Sequence, residues 1–321
     1  PKTMKEVIVV CHESDPDTIS YVREYIKKNK TRRIKVKTYT GETVSKPKAL
    51  NEGLNIAKND IVAIFDAEDE PHADIFHVIN TTLLRDHADV VQSGIQLMDY
   101  DSSWYSTLNV LEYFFWFKSA LHFFARVGVV PLGGNTIFIK RYLLEHIGGW
   151  KDRALTEDAD LGIRLSRVHA KIRVIYDEHY VTHEETPPSL SSFIKQRTRW
   201  NQGFLQVLLQ GEWRYLPKLK QRFFAAYILF WPFLQTIFLI TMVVSIVVSI
   251  RLQLPVYAVI ASIVPLYILV IQYVILITGI LEFSDAYSIK KKLELSLATI
   301  LSFFHTILFW LLLQSELLYE L

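Results

Sequence analysis

The chain has almost no sulfur chemistry and little net charge. A single cysteine, Cys11, among 321 residues excludes an internal disulfide and fits a reducing compartment. Thirty-five basic side chains against 33 acidic ones leave a formal charge of +2, too little for a general attraction to nucleic acid, although a local basic patch stays possible. No charged-then-apolar leader precedes the strand-like run that begins a few residues after Pro1, so no signal peptide is expected. There is no internal repeat and no low-complexity linker. Charge is missing altogether from three long stretches, Phe223 to Ile250, Leu252 to Leu281 and Leu295 to Ser315.

The first two stretches exceed the roughly 20 residues that cross a bilayer as helix, and the third has about that length. A soluble core built from such segments would need long helices apolar on every face, which soluble folds rarely sustain. About three transmembrane spans are therefore expected. Lys218, Lys220 and Arg222 precede the first, Lys290, Lys291 and Lys292 precede the third, and only Arg251 lies between the first two. The positive-inside rule then places the N-terminal portion on the cytoplasmic side and the C-terminus across the membrane, a multi-pass integral membrane protein. Trp231, Trp310 and Tyr319 lie near span ends, where interfacial aromatics are favoured.

Before the spans, short β-branched runs alternate with amphipathic ones: 6–10, 17–28, 34–40, 47–57, 60–66, 72–85 and 89–97. The nearly continuous apolar run Ile61-Val62-Ala63-Ile64-Phe65 implies a strand buried on both faces, as in a mostly parallel sheet covered by helices. In such sheets ligands bind beyond the carboxyl ends of the strands, where Asp66 falls. The aromatic-rich stretch 107–126 carries Glu112, Lys118, His122 and Arg126 and is too polar to span. It reads equally as a helix on the membrane surface, as a roof over the site, or as a core helix. Three regions follow: an α/β domain over 1–190, amphipathic interface helices over 191–222, and transmembrane helices over 223–321.

Three motifs carry chemistry. Asp66-Ala67-Glu68-Asp69 ends the apolar strand, and hard carboxylate oxygens there suit Mg²⁺ or Mn²⁺; an acidic run before Pro71 is otherwise a solvated turn. Thr156-Glu157-Asp158 opens a helix, where Thr156 is placed to cap and the acids favour the positive dipole end; Asp158 could also act as a general base. In Gln196-Arg197-Thr198-Arg199-Trp200, the spacing puts Gln196 and Arg199 on one helical face with Trp200 adjoining. Arginine pairs with phosphate oxygens and indole stacks on sugar rings, although both also anchor helices to headgroups. Lys48 could bring a cation to a diphosphate, His183 could meet metal or phosphate, and Glu13 and Asp15 could read a base or ribose.

Taken jointly, Lys48-Ala-Leu-Asn51, Asp66-Ala-Glu-Asp69, Thr156-Glu-Asp158 and Gln196-Arg-Thr-Arg-Trp200 resemble the family 2 inverting glycosyltransferases of GT-A fold. The branch most similar is the membrane-embedded one that includes cellulose synthase, poly-N-acetylglucosamine synthase and hyaluronan synthase. The resemblance covers roughly residues 5 to 210. It implies that Asp66 and Glu68 or Asp69 hold the metal, that Lys48, Gln196 and Arg199 hold the donor diphosphate, and that Asp158 is the catalytic base. It further implies an acceptor side at Gly133, Gly134, Asn135, Glu157 and Trp200.

Several residues depart from the family pattern. The second metal-site carboxylate, usually Asp, is Glu68 with Asp69 beside it, and Cys11-His12 replace the usual paired aspartates. Glu13 and Asp15 remain as base-reading candidates. The family's first strand and N-terminal spans are not in evidence, so further chain before Pro1, or a partner, is expected. The implied function is inverting transfer from a nucleoside-diphosphate sugar, UDP-linked, to a growing β-linked polysaccharide, with a membrane lipid as the alternative acceptor. A transporter or channel with a cytoplasmic nucleotide-binding domain is the rival of another class; its spans would carry paired ionisable residues, and here only His305 qualifies.

Overall fold

The computed structural model describes residues 5–31, 33–99 and 102–257. It begins with a parallel pair, β1 (Val7–His12) and β2 (Ile34–Tyr39), in register from Val7 opposite Ile34 to His12 opposite Tyr39. Between them runs α1 (Pro16–Asn29), started by a proline in its first turn and by Asp15, whose carboxylate accepts the Thr18 N–H at 3.1 Å. Helix α2 (Lys46–Leu54) starts in the same way, from Ser45 and Pro47, and packs on both strands.

Next come β3 (Ile61–Ile64), α3 (Ile75–Arg85), β4 (Val90–Gln92) and β5 (Ile95–Leu97). Helix α4 (Trp104–Phe115) then passes through a π-helical turn, Trp116–Ala120, into α5 (Leu121–Val127). The chain continues as β6 (Ile137–Lys140), α6 (Arg141–His146), α7 (Glu157–Arg167), β7 (Ile172–Val174), β8 (Thr182–Glu184), α8 (Leu190–Gln210) and α9 (Leu219–Arg251).

The central sheet has the order β3-β6-β4-β7, and it corrects the expectation of a mostly parallel sheet. Strand β6 is antiparallel to both neighbours, Ile137 pairing with Ile64 of β3 and with Gln92 of β4. The reason is connectivity: the chain returns from α5 at the edge where β3 and β4 end, so it enters the sheet from that end with no crossover to turn it parallel. Burial of Ile137, Phe138 and Ile139 holds β6 in the middle. The run 89–97, expected as one strand, is two. It breaks at Ser93-Gly94, after which β5 leaves the central sheet and pairs in parallel with β8. At Gly94 a Cβ would stand 2.6 Å from the Tyr176 ring, so no larger residue fits the break.

Much of the 107–126 stretch packs into the core, while Phe115 and Phe123 stay exposed. Phe114, Phe117 and Leu121 are buried in the main cluster with Ile95, Leu97, Ile137 and Leu161, while Phe124 and Val127 pack against Ile228 and Leu229 of α9. Its aromatic face is thus shared between the sheet and the helices that follow. Helix α8 begins at a capping box, Ser189 and Ser192 bonding reciprocally, within one residue of the expected start. Over the side chains described, no helix among the described residues is long and apolar enough to cross a membrane. The first expected span, 223–250, lies in α9, where side chains 235, 236, 238, 239 and 242 are outside that description. The second and third lie outside the described residues.

Candidate active site

Strand β3 ends at Ile64 and the chain turns through Asp66-Ala67-Glu68-Asp69. Asp69 braces this turn. Its Oδ2 accepts the Asp66 N–H at 2.8 Å and its Oδ1 accepts the Asn135 side-chain amide at 2.9 Å. Glu68, by contrast, is exposed and has no hydrogen bond or ion pair among the described residues. Asp66 is held by Lys46, the first residue of α2, whose Nζ lies 2.5 Å and 2.7 Å from its two carboxylate oxygens. The same ammonium donates to the Gly134 carbonyl at 3.0 Å and stands 3.5 Å from Glu157. Burial works against the charge on Lys46, but Asp66, Glu157 and Asp158 outweigh it and raise its pKa.

Asp158 lies in the first turn of α7, where its Oδ1 accepts the Ala159 N–H at 2.8 Å. Burial, then the neighbouring Glu157, raises it to about 7 against the opposing effects of that N–H and of Lys46. Gly134, at φ +85°, passes close by: a Cβ there would stand 3.3 Å from Asp158 Oδ2, so backbone alone fits between Lys46 and the carboxylate. Glu184 closes β8, which the backbone bridge between His183 and Glu70 brings alongside the Asp66 turn. Burial, followed by Asp69, Asp66 and Glu68, pushes Glu184 to about 8; burial, with Asp66 and Glu68, pushes Asp69 to about 6. Tyr113, from α4, is buried on the same side, and its hydroxyl is held well above its ordinary value by burial and by Glu184.

This group of acids shares one lysine and is short of positive charge, and all its donors are hard oxygens. Among the described residues, no three His, Cys, Asp or Glu side chains form a ready-made cage for a metal. Mg²⁺ is commonly held by one or two carboxylates together with substrate phosphates, so Asp66 and the unpaired Glu68 fit that role while Asp69 is occupied as a brace.

Helix α8 is docked against the Thr156-Glu157-Asp158 segment by its smallest residue. A Cβ on Gly203 would fall 2.4 Å from Thr156 Cγ2, so the two backbones approach as closely as glycine permits. The same stripe continues with Gln206, which accepts from Leu155 N–H at 3.0 Å and donates to the Arg153 carbonyl at 3.1 Å, and with Gln210, which meets Lys151 at 2.7 Å. Gln196, Arg199 and Trp200 precede Gly203 by seven, four and three residues and so share its face. Arg199 is exposed with no ion pair among the described residues, and the Oε1 of Gln196 is buried without a partner. Arg197 instead turns to α4, bonding Asn109 and, at 2.8 Å, Glu112, with its guanidinium 4.3 Å from the Trp200 ring and 4.9 Å from that of Phe193. It is a clamp that fixes the indole, which also packs on Tyr113.

Other expected residues fall elsewhere. Lys48 pairs with Glu52 at 3.6 Å and Asp152 at 3.8 Å, so Lys46 is the lysine at the acidic turn. Two residues apart on a helix means nearly opposite faces, and the choice between them needs the packing of α2. The Asp15 carboxylate is engaged as the cap of α1, and Glu13 is exposed beside a shallow depression lined by Ser20, Arg23 and Thr38. Gly133 donates its N–H to Gln92 at 2.8 Å and lies over the Phe117 ring. Thr156 stands at the cap position of α7 but its hydroxyl makes no capping bond. Lys46, Glu184 and Tyr113 were not singled out from sequence. For Glu184 the only signal is an acid at the end of a short strand, adjacent to the His183 that was.

Residues 2–203 match the family described as "Glycosyltransferase like family 2". The chain is 26% identical over 214 residues to the "Probable glycosyltransferase YdaM" of Bacillus subtilis, covering 65% of this chain and 50% of that protein. It is 25% identical to a "Beta-monoglucosyldiacylglycerol synthase" of Trichormus variabilis, over 65% of this chain and 44% of that one. A "Poly-beta-1,6-N-acetyl-D-glucosamine synthase" of Staphylococcus epidermidis is 24% identical over 70% of this chain and 53% of its own. The chain thus spans about half the length of the curated relatives it matches. Its fold is similar to that of the mannosyltransferase PcManGT from Pyrobaculum calidifontis, solved with GDP-Man and Mn²⁺, with a TM-score of 0.57 at 18% identity over 98% of this chain and 78% of that one. The GT-A-like α/β architecture and the matched residues together place this chain in the Glycosyltransferase like family 2.

Proposed function

We propose that the chain catalyses inverting transfer of a sugar from a UDP-sugar to a growing β-linked polysaccharide, at the cytoplasmic face of a membrane that its C-terminal helices cross. The observation that carries the reading is the Lys46 ammonium, which joins Asp66 to the Glu157-Asp158 pair across the Gly134 carbonyl. In this reading the general base and the diphosphate site lie on either side of one cation.

Asp158 takes the proton of the acceptor hydroxyl as that oxygen bonds to the anomeric carbon. The bond from that carbon to the diphosphate breaks, and its electron pair leaves with the diphosphate. Lys46, Arg199 and Gln196 hold the leaving group, Trp200 stacks on the acceptor sugar, and Asn135 sets the loop on the acceptor side. Mg²⁺ or Mn²⁺ at Asp66 and Glu68, when bound, supplies charge neutralisation for the departing diphosphate. The exposed Glu13 is left to read the nucleoside.

Membrane attachment is supported by α9. Along it Ile237, Ile240, Val243, Val244, Val247 and Ile250 are turned outward, an apolar face suited to lipid. A polymer acceptor is supported by relatives named as poly-N-acetylglucosamine and glucomannan enzymes. The lipid acceptor is the second reading, supported by relatives named as glucosyldiacylglycerol synthases and by that same outward apolar face. Product length with membrane-reconstituted protein, UDP-glucose or UDP-N-acetylglucosamine, and diacylglycerol separates the two: a ladder of products supports the polymer, a single glycolipid the second reading. No nucleoside diphosphate released from any donor with Mg²⁺ or Mn²⁺ overturns both.

A further inference from the structure

Thr156 is 5% exposed, and its hydroxyl oxygen is buried without a hydrogen-bond partner among the described residues. An unpaired buried hydroxyl is costly and calls for a reason. The residue stands where a helix cap stands, with φ −124° and ψ 77°, and a capping threonine accepts the N–H two or three residues on. Those are the N–H groups of Asp158 and Ala159. Here the Ala159 N–H goes to Asp158 Oδ1 at 2.8 Å, and the Asp158 N–H also favours its own carboxylate. Asp158 has therefore taken the N–H that a capping hydroxyl would hold. The hydroxyl is kept in place by α8, for a Cβ on Gly203 would meet Thr156 Oγ1 at 2.5 Å.

We propose that Thr156 is a positioning residue whose hydroxyl takes over the Ala159 N–H when Asp158 turns to the acceptor hydroxyl, so that the base is released without leaving the start of α7 unpaired. This rests on the reading of Asp158 as the base. One donor serves two acceptors in turn. While Asp158 holds the N–H its anion is stabilised and less basic; once Thr156 holds it, the carboxylate is a stronger base at the moment an acceptor is present. The other charged or titratable groups acting on Asp158 are Glu157 beside it, Lys46 from α2 and Tyr113 from α4, and none of them donates the Ala159 bond. The exchange is confined to two short side chains at the start of α7, beside the close approach of Gly203.

The test compares Thr156→Val, which keeps the shape and loses the hydroxyl, with Thr156→Ser, which keeps the hydroxyl, in the full chain. Thr156→Val is expected to lower kcat about tenfold with the donor KM unchanged, the size of effect one hydrogen bond gives. It is also expected to move the acid limb of the kcat profile to lower pH, because Asp158 keeps the N–H, while Thr156→Ser restores both. Its Tm is expected not to fall, since an unpaired buried hydroxyl has been removed. An unchanged kcat and acid limb in Thr156→Val, or a Thr156→Ser variant as slow as Thr156→Val, overturns the inference. Asp158→Asn is measured alongside: if that variant still transfers sugar, the reading of the base fails, whereas an inactive Asp158→Asn beside an unaffected Thr156→Val sinks this inference alone.

Discussion

The Lys46 ammonium rests between both carboxylate oxygens of Asp66, at 2.5 Å and 2.7 Å, although one residue begins α2 and the other lies in the turn after β3, 20 positions on. In the proposed reading a divalent cation held at Asp66 would share these oxygens with the lysine, and a lysine drawn off Asp66 would be free to meet the donor diphosphate.

Lys46→Met is therefore expected to bind Mn²⁺ more tightly than the natural protein, by roughly tenfold in titration calorimetry, as the competing ion pair is gone. Its donor affinity is expected to fall in the same preparation. Unchanged Mn²⁺ affinity would show that Lys46 does not compete at Asp66.

Asp158→Asn is expected to lower kcat by about 10² to 10⁴-fold while nucleoside diphosphate binding persists, the contribution a positioned base makes. The natural enzyme's kcat is expected to rise through about pH 7, where Asp158 ionises in the fold. Burial raises this carboxyl above its unfolded value of about 3.9, so its ionised form destabilises the fold increasingly from there up to about pH 7. Asp158→Asn accordingly raises Tm at pH 8, and a lowered Tm would contradict the burial argument.

Glu184 gives a second pH signature, in stability. Its folded pKa of about 8 lies above an unfolded value of about 4.3, so folding retains the proton and the group's cost grows as pH climbs between those values. Tm measured from pH 5 to 9 is expected to fall less steeply in Glu184→Gln than in the natural chain. Parallel curves for the two proteins would refute it.

Gly203→Ala places a methyl 2.4 Å from Thr156 Cγ2, a separation that packed atoms do not tolerate. Overpacking of this kind costs about 1–3 kcal/mol. Thermal unfolding is expected several degrees lower, with reduced transfer because α8, which carries Trp200, shifts away from the Thr156-Glu157-Asp158 segment. Gly41→Ala is the contrast, for a Cβ at Gly41 meets nothing within 4 Å, although its φ of +126° makes it strained. A Gly203→Ala variant with natural Tm and rate would mean that α8 docks by other contacts.

The residues differ in how far sequence alone reached them. Helix α8 was legible because its apolar period is local, whereas its cap at Ser189 emerged only in the structure. Asp66 was legible because it follows an apolar run of strand length. The direction of β6 was not, since an apolar tetrapeptide reads the same way in either orientation and only the position of the returning chain sets it. Lys48 was preferred over Lys46 because family spacing names a lysine but not the face on which it emerges. Glu184 was passed over because its proximity to Asp66 depends on a two-residue bridge between His183 and Glu70, distant in sequence.

The amino-acid order alone determined the alternation of strands and helices, the acidic turn after β3, the Thr-Glu-Asp opening of α7, and the uncharged C-terminal stretches. Each is a pattern within a few turns of chain, governed by local propensity and hydrophobic period. Tertiary structure alone decided which lysine meets Asp66, which acid braces and which stays unpaired, that Arg197 clamps an indole, and that Thr156 is left without its bond. These are outcomes of competition for one donor or one cation among residues brought together by packing, and such competition has no counterpart in a linear pattern.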